Sequence, residues 1–265
     1  TRLEVDVHIV TGAVTAAQNL SRCVTRAGLD VAEIVLQPLA SSAAVLSSEE
    51  KDLGVVMIDL GGGTSDIAIY IDGSIRHTAV IPIGGNHLTT DLTVGLCTSH
   101  ADAEKIKVQH GVSFTDQVSD DENIEVPSVG GRPPRLVSQS HIADILQPRV
   151  EEMFDLVRRE IRRAGYDGML VAGGVITGGT SQLPGMAEMA ERTLDLPVRT
   201  GGPTGIGGLL DVVSNPSCAT AVGLILHAVN HEHGQQYAGV GSRGAGDGWW
   251  SALLGRGKTF IMSCF

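Results

Sequence analysis

Apolar and polar positions along the chain follow two different periods, which separates expected strands from expected helices. Leu3, Val5, Val7 and Ile9 alternate with Glu4, Asp6 and His8, the two-residue period of a half-exposed strand. Thr15 is placed to cap a helix carrying apolar Leu20, Val24 and Ala27 and stopped by Gly28. Residues 33–36 predict a short strand, and Pro38 to Ser48 a helix of small residues. Two apolar runs, Val55–Leu60 and Ile67–Ile71, flank Gly61-Gly62-Gly63-Thr64 and predict a hairpin. A further strand over 75–83 ends at Gly84-Gly85, and residues 86–126 read as helical and then irregular. The proline-rich stretch 126–135 predicts a turn or flexible connection. From Pro148 to Ala164, Val150, Met153, Phe154, Val157 and Ile161 recur at helical spacing, with Pro148 in the first turn and Gly165 just past the end. Strand 169–177, helix 185–193, strand 196–199 and helix 217–230 complete the series. Strands alternating with helices of this size predict α/β layers.

Composition narrows the setting. At 265 residues the chain suffices for one large domain or two small ones. Its net charge of −11 argues against a nucleic-acid partner. Cys23, Cys97, Cys218 and Cys264 form no CxxC pair and have no histidine at metal spacing, so a reduced cytosolic setting is expected. No apolar run approaches the roughly 18 residues of a membrane span. Starting at Thr1 inside a strand pattern, without methionine, the chain is expected to be a piece of a longer protein. Six glycines between Gly234 and Gly248 predict a flexible linker, and residues 249–265 turn hydrophobic again.

The chemistry concentrates at two glycine turns. Gly61-Gly62-Gly63 removes three side chains after a strand that carries Asp59 near its end, and the next strand is entered through Asp66. Backbone N–H groups there are free to close on an anion. Two carboxylates beside a phosphate call for a divalent cation and its waters as go-between. A second turn, Gly178-Gly179-Thr180-Ser181-Gln182-Leu183-Pro184-Gly185, again follows an apolar strand, so the pair reads as two walls of a nucleotide cleft. His227 and His231 stand four apart with His233 nearby, but no third ligand of suitable type is evident, and a solvated helix end is the better reading. Arg149, Arg158, Arg159, Arg162 and Arg163 interleave with Glu151, Glu152 and Glu160, which suits either a solvated helix face or a basic lip for an acidic peptide.

These segments, in this order, resemble the actin/DnaK-type ATPase superfamily, and within it the FtsA family of bacterial cell-division proteins. Gln37–Leu46 is similar to a first interdomain connecting helix, Asp59–Asp66 to a second phosphate loop, and Gly84-Gly85-Asn86 with Thr89-Thr90-Asp91 to the turn opening the smaller part of the second domain. Ala103–Lys107 is similar to the helix whose Glu and Lys meet the ribose and adenine, Gly178–Pro184 to an adenosine loop, and Pro216–Gly223 to a second connecting helix. The strings VDVHIVTG, IVLQPLASS, IRHTAVIPIGGN, AEKIKVQHG and PSCATAVGLI carry the narrower likeness, which runs from about residue 3 to 230. A first phosphate loop is not among the segments matched.

The resemblance implies an actin-like (ribonuclease-H-like) two-domain α/β fold with ATP and Mg²⁺ in the cleft. It assigns residues 1–50 to the remainder of a first domain and 51–205 to a second, with a smaller subdomain at about 85–140. Residues 206–233 would return to the first domain, 234–248 form the linker and 249–265 a membrane-targeting tail. Expected nucleotide contacts are Asp59, Gly61, Gly62, Gly63, Thr64, Asp66, Gly84, Gly85, Glu104, Lys107, Gly178, Gly179, Thr180 and Gln182. Asp59 would hold Mg²⁺ through water and Thr64 would donate to the terminal phosphate. Asp66 would orient the attacking water or serve as a fixed acceptor, and hydrolysis is at most slow. Arg149, Arg158 and Arg159 would receive the acidic tail of the tubulin-like protein FtsZ. Trp249, Trp250, Leu253, Leu254, Phe260, Ile261 and Phe265 would reach the membrane interface, although Gly255 and Gly257 weaken a helix there. Self-association into filaments and a place on the cytoplasmic face of the inner membrane, at the division site, complete the expectation. A sugar kinase would need a carboxylate base and a sugar pocket, a DnaK-type chaperone a further β domain, and a pilus-assembly homologue no terminal anchor.

Overall fold

The computed structural model describes residues 2, 7–117, 123–207 and 210–238. The chain divides into two units, Thr1–His227 and Ala228–Phe265. In the first unit, helices α1 (Val14–Arg26), α2 (Gln37–Val45) and α3 (Ser48–Leu53) precede strands β1 (Val55–Leu60), β2 (Ser65–Ile71) and β3 (Ser74–Ile81). Helices α4 (Gly85–Gly95) and α5 (His100–His110) follow, then the hairpin β4 (Asn123–Val126) and β5 (Arg135–Ser138) and the long helix α6 (Gln139–Ala164). Strand β6 (Gly173–Thr177), helix α7 (Met186–Leu194), strand β7 (Val198–Thr200), the short helix α8 (Leu210–Val213) and helix α9 (Ala219–Ala238) end the series. The described part of the second unit is the end of α9.

Five strands form one sheet in the order β3-β2-β1-β6-β7, antiparallel from β1 to β3 and parallel from β1 to β7. Every residue of β1 and β2 is buried. Their near-continuous apolar runs arise because the sheet is covered on both faces, so both side-chain parities must be apolar. Val56, Ile58, Leu60, Ile67 and Ile69 pack on Leu88 and Leu92 of α4, on Met153, Phe154 and Val157 of α6 and on Met186 of α7. The opposite parity, Val55, Met57, Ala68 and Tyr70, packs on Ala44 and Val45 of α2 and Ala219 and Val222 of α9. Each large side chain buried this way contributes up to about 1.5–3 kcal/mol relative to exposure.

Several boundaries differ from the expectation. Residues 7–10 and 31–36 form no strand, and residues 3–6 lie outside the described part. A strand needs a hydrogen-bonding neighbour as well as the right period, and none among the described residues pairs with these segments. The first helix is capped at Ala13 without a side-chain bond, leaving Thr15 inside it. Residues 38–48 split into two helices because Ser47 and Glu50 form a reciprocal capping box that starts α3 anew. Pro148 lies inside α6 rather than at its first turn. Ile142, Leu146, Val150 and Phe154 continue the apolar stripe through the proline, and their burial outweighs the lost backbone bond. Gly165 takes the left-handed conformation expected at the end of α6, with φ 80°. Strand β6 is shorter than 169–177, and α9 runs to Ala238, so the first five residues of the expected linker are helical.

Candidate functional site

Three glycine turns meet at the C-terminal edge of the sheet. Gly61 N–H donates to Thr64 O at 2.9 Å and closes the turn between β1 and β2. Gly85 N–H and Asn86 N–H, at the start of α4, donate to Gly61 O at 2.9 Å and Gly62 O at 2.7 Å. The Thr180 hydroxyl donates to Gly61 O at 3.0 Å from the third turn. This approach demands glycine: a side-chain carbon on Gly84 would stand 2.6 Å from Gly61 O, and one on Gly178 would lie 2.6 Å from Leu60 O and strike the Asp59 carboxylate. Gly178 also has φ 85°, a region open to glycine. Gly62 and Gly63 differ, since added atoms would meet Asn86 at 3.6 Å and nothing within 4 Å, respectively. Among the described residues their N–H groups have no backbone acceptor.

Beside these turns lies a cleft of about 480 Å³. Gly62, Gly85, Gly179, Thr180 and Gln182 line one part of it, and Glu104 and Lys107 of α5 another. Of its apolar wall, Leu183 and Pro184 lie within the expected adenosine loop, whereas Leu88 and Val108 are not among the contacts expected from the sequence. The signal for Val108 was present, because it directly follows Lys107. Val108 is 72% exposed, an apolar surface presented to the cleft.

Lys107 and Glu104 are bound in a network rather than standing as an open ion pair. Lys107 Nζ donates to Glu104 Oε2 at 2.7 Å, Thr89 Oγ1 at 2.9 Å and Gly85 O at 3.1 Å. The Thr89 hydroxyl also donates to Glu104. Burial works to raise the Glu104 carboxyl, but the bonds from Lys107 and Thr89 outweigh it and hold the group below the usual range.

Asp59 and Asp66 sit in the sheet on the face covered by α2 and α9, without lining the cleft themselves. Asp59 Oδ2 accepts from Ser41 Oγ at 2.7 Å, Gln37 Nε2 at 3.2 Å and Thr220 Oγ1 at 3.3 Å, and Oδ1 faces Gly178 between two glycine turns. That oxygen is compatible with a hydrated divalent cation, which needs one or two carboxylates plus phosphate and water. Burial pushes the Asp66 carboxyl up, the Thr64 hydroxyl at 3.1 Å opposes this, and the Asp59 charge adds to it. Thr64 thus directs its hydroxyl to Asp66 in this conformation. No cluster of three or more acidic, histidine or cysteine side chains suited to a metal occurs among the described residues.

The arginines of α6 are spread along a different surface. Arg149 holds Asp91 through two bonds of 2.7 and 3.1 Å and also pairs with Glu152. Arg158 donates to Asp155 and, at 3.1 Å, to Thr193 O. Arg159 is exposed and borders a shallow cavity of about 250 Å³ with Glu151, Glu152 and Asp155. The tail residues Trp249 to Phe265 lie outside the described residues. No helix among the described residues is long and apolar enough to cross a membrane.

A mixed five-stranded sheet covered on both faces, with glycine turns converging at one edge, defines an actin-like α/β protein. MreB5 of Spiroplasma citri bound to ADP has this fold, with a TM-score of 0.69 at 18% identity over 85% of this chain and 68% of that one. A family model described as "Cell division protein FtsA" matches residues 56–223. The chain is 44% identical to cell division protein FtsA of Pseudomonas aeruginosa and 48% identical to that of Neisseria meningitidis serogroup B, in both cases over its whole length. It belongs to the FtsA family, and spans 64% of the length of each of these two relatives.

Proposed function

We propose that this protein binds ATP with Mg²⁺ in the cleft between the Gly61–Gly63 turn, α5 and the Gly178–Gln182 turn. One observation carries the reading: three glycine turns are stitched around Gly61 O and Gly62 O while the Gly62 and Gly63 N–H groups remain available for an anion. In this reading Gly61, Gly62, Gly63, Thr64, Gly84 and Gly85 shape the phosphate end. Asp59 holds the hydrated cation with Asp66 beside it, and Glu104 and Lys107 face the ribose. Gly178, Gly179, Thr180 and Gln182 flank the base against Val108 and Leu183. The ADP named with the Spiroplasma MreB5 structure supports a nucleotide here by fold likeness.

Family membership supports the cellular role: an actin-like cell-division protein that self-associates, receives the acidic tail of FtsZ and tethers it to the cytoplasmic face of the membrane at the division site. Nucleotide binding would then act as a switch for conformation and polymerisation, with at most slow hydrolysis. Residues 51–205 would be the second domain and the flanking segments would belong to the first. Of the three arginines expected to meet an acidic peptide, Arg159 is the exposed one, since Arg149 and Arg158 are half-buried and already hold acidic partners.

The test is binding of a fluorescent ATP analogue with Mg²⁺ to the full-length protein and to Gly62→Val. A Cβ at Gly62 has the Asn86 side chain as its nearest neighbour, at an ordinary contact distance of 3.6 Å, so the position accepts a side chain while the phosphate end is obstructed. Loss of affinity with an unchanged melting temperature is expected. Equal affinity for both proteins would overturn the reading.

A further inference from the structure

The turn at Asn215–Ser217 supports the Gly178–Gln182 loop from behind: Gly178 N–H donates to Pro216 O at 3.2 Å, and the Thr177 hydroxyl reaches the same oxygen at 3.4 Å. One side chain crosses from this turn into the cleft wall. The Asn215 carboxamide has an unambiguous orientation, because Ser217 N–H can only donate and its partner, at 2.9 Å, must be Asn215 Oδ1. The Ser217 hydroxyl donates to the same oxygen at 2.7 Å. Asn215 Nδ2 is therefore the group directed at Gln182, at 2.8 Å, and a donor there requires Gln182 to answer with Oε1. Gln182 Nε2 in turn donates to Gly179 O at 3.3 Å. The carboxamide of Gln182 is thus held at both ends, its carbonyl oxygen already engaged, while the side chain lines the cleft.

We propose that Asn215 is a positioning residue for nucleotide recognition: it fixes the Gln182 carboxamide so that a purine base meets its flat face and remaining N–H, with the carbonyl turned away. This rests on the nucleotide reading of the cleft. A carboxamide clamped by two neighbours loses less side-chain freedom on binding than a free glutamine. The device also explains why a short loop and a turn distant in sequence are joined by side chains as well as backbone.

Asn215→Asp isolates the clamp. The aspartate keeps an acceptor for Ser217 N–H and Oγ, so the turn is retained, but it offers Gln182 no donor and its amide must flip. ATP·Mg affinity of full-length protein is measured for wild type, Asn215→Asp, Gln182→Ala and the double variant, with melting temperatures for each. Asn215→Asp is expected to weaken binding about threefold or more in the wild-type background and to have no further effect once Gln182 is alanine, a coupling of the size seen for contacting residues. Equal effects in both backgrounds, or none in either, would overturn the proposal. If wild type fails to bind ATP·Mg at all, the nucleotide reading itself falls and takes the inference with it. Binding by wild type with uncoupled variants defeats the inference alone.

Discussion

Asp59 and Asp66 are direct register partners across β1 and β2, both buried and both on the sheet face that meets α2 and α9. Their surroundings differ. Asp59 receives three donors on one oxygen, whereas Asp66 receives the Thr64 hydroxyl and faces the Asp59 charge. Two like charges at neighbouring positions of a dry sheet oppose folding unless a cation or a proton intervenes.

Asp66→Asn should therefore stabilise the nucleotide-free protein at neutral pH. The folded-state carboxyl is raised, so the wild type is most stable where Asp66 is protonated and loses that contribution as pH rises through the raised value. The gain for the asparagine variant should be a few degrees in Tm, the scale on which about 1 kcal/mol moves a domain of this size, and should vanish as pH falls below the carboxylate range. Thermal melts across pH check this; a gain that persists unchanged at low pH contradicts it.

Gly223 of α9 is packed against the backbone of Ala40 in α2, and a side-chain carbon there would collide with the Ala40 carbonyl oxygen. Gly223→Ala is expected to destabilise by about 1–3 kcal/mol by forcing the helices apart. The same separation should lengthen the Ser41–Thr220 contact of 2.9 Å that links them at Asp59. Denaturant titration beside Gly62→Val, whose Cβ has the Asn86 side chain rather than backbone as its nearest neighbour, separates a packing fault from a binding fault.

At the α6 surface, Arg149→Ala should cost about 1 kcal/mol in stability, because it breaks a two-pronged, half-buried bond to Asp91 on α4. Arg159→Glu should leave stability unchanged and weaken a pull-down of an acidic FtsZ-tail peptide severalfold at low salt. The difference should shrink as salt rises, since exposed charges are screened within about 10 Å at 0.1 M. Unchanged peptide binding would move the dock elsewhere.

The hydrophobic tail invites a vesicle test. Each cation, Arg256 and Lys258, contributes about 1 kcal/mol toward anionic lipid, so the aromatic and aliphatic residues must supply the rest. Single tails should bind weakly, and polymerisation should strengthen binding through multivalency. Flotation of full-length protein with ATP should exceed that of a version ending at Gly248; equal flotation would show that the tail is no anchor.

The sequence alone determined what depends on local chemistry. The apolar runs of β1 and β2, the glycine turns and the stripe Val150–Ile161 were legible because backbone freedom and side-chain period act over a few residues. Of the cleft lining, Gly62, Gly179, Thr180 and Gln182 were legible in the two glycine turns, whereas Gly85, Glu104 and Lys107 were expected only through the resemblance to the FtsA family. Tertiary structure decided what depends on a distant partner. Residues 7–10 have the strand period but no strand beside them, and Pro148 is tolerated inside α6 because the stripe on both sides of it is buried. No local rule told that Arg149 meets Asp91, that Thr220 reaches Asp59, or that Asn215 holds Gln182. Those pairs are made by packing α4, α9 and the Asn215 turn against their neighbours, and a side chain's charge or amide is committed only when the fold brings up the group that answers it.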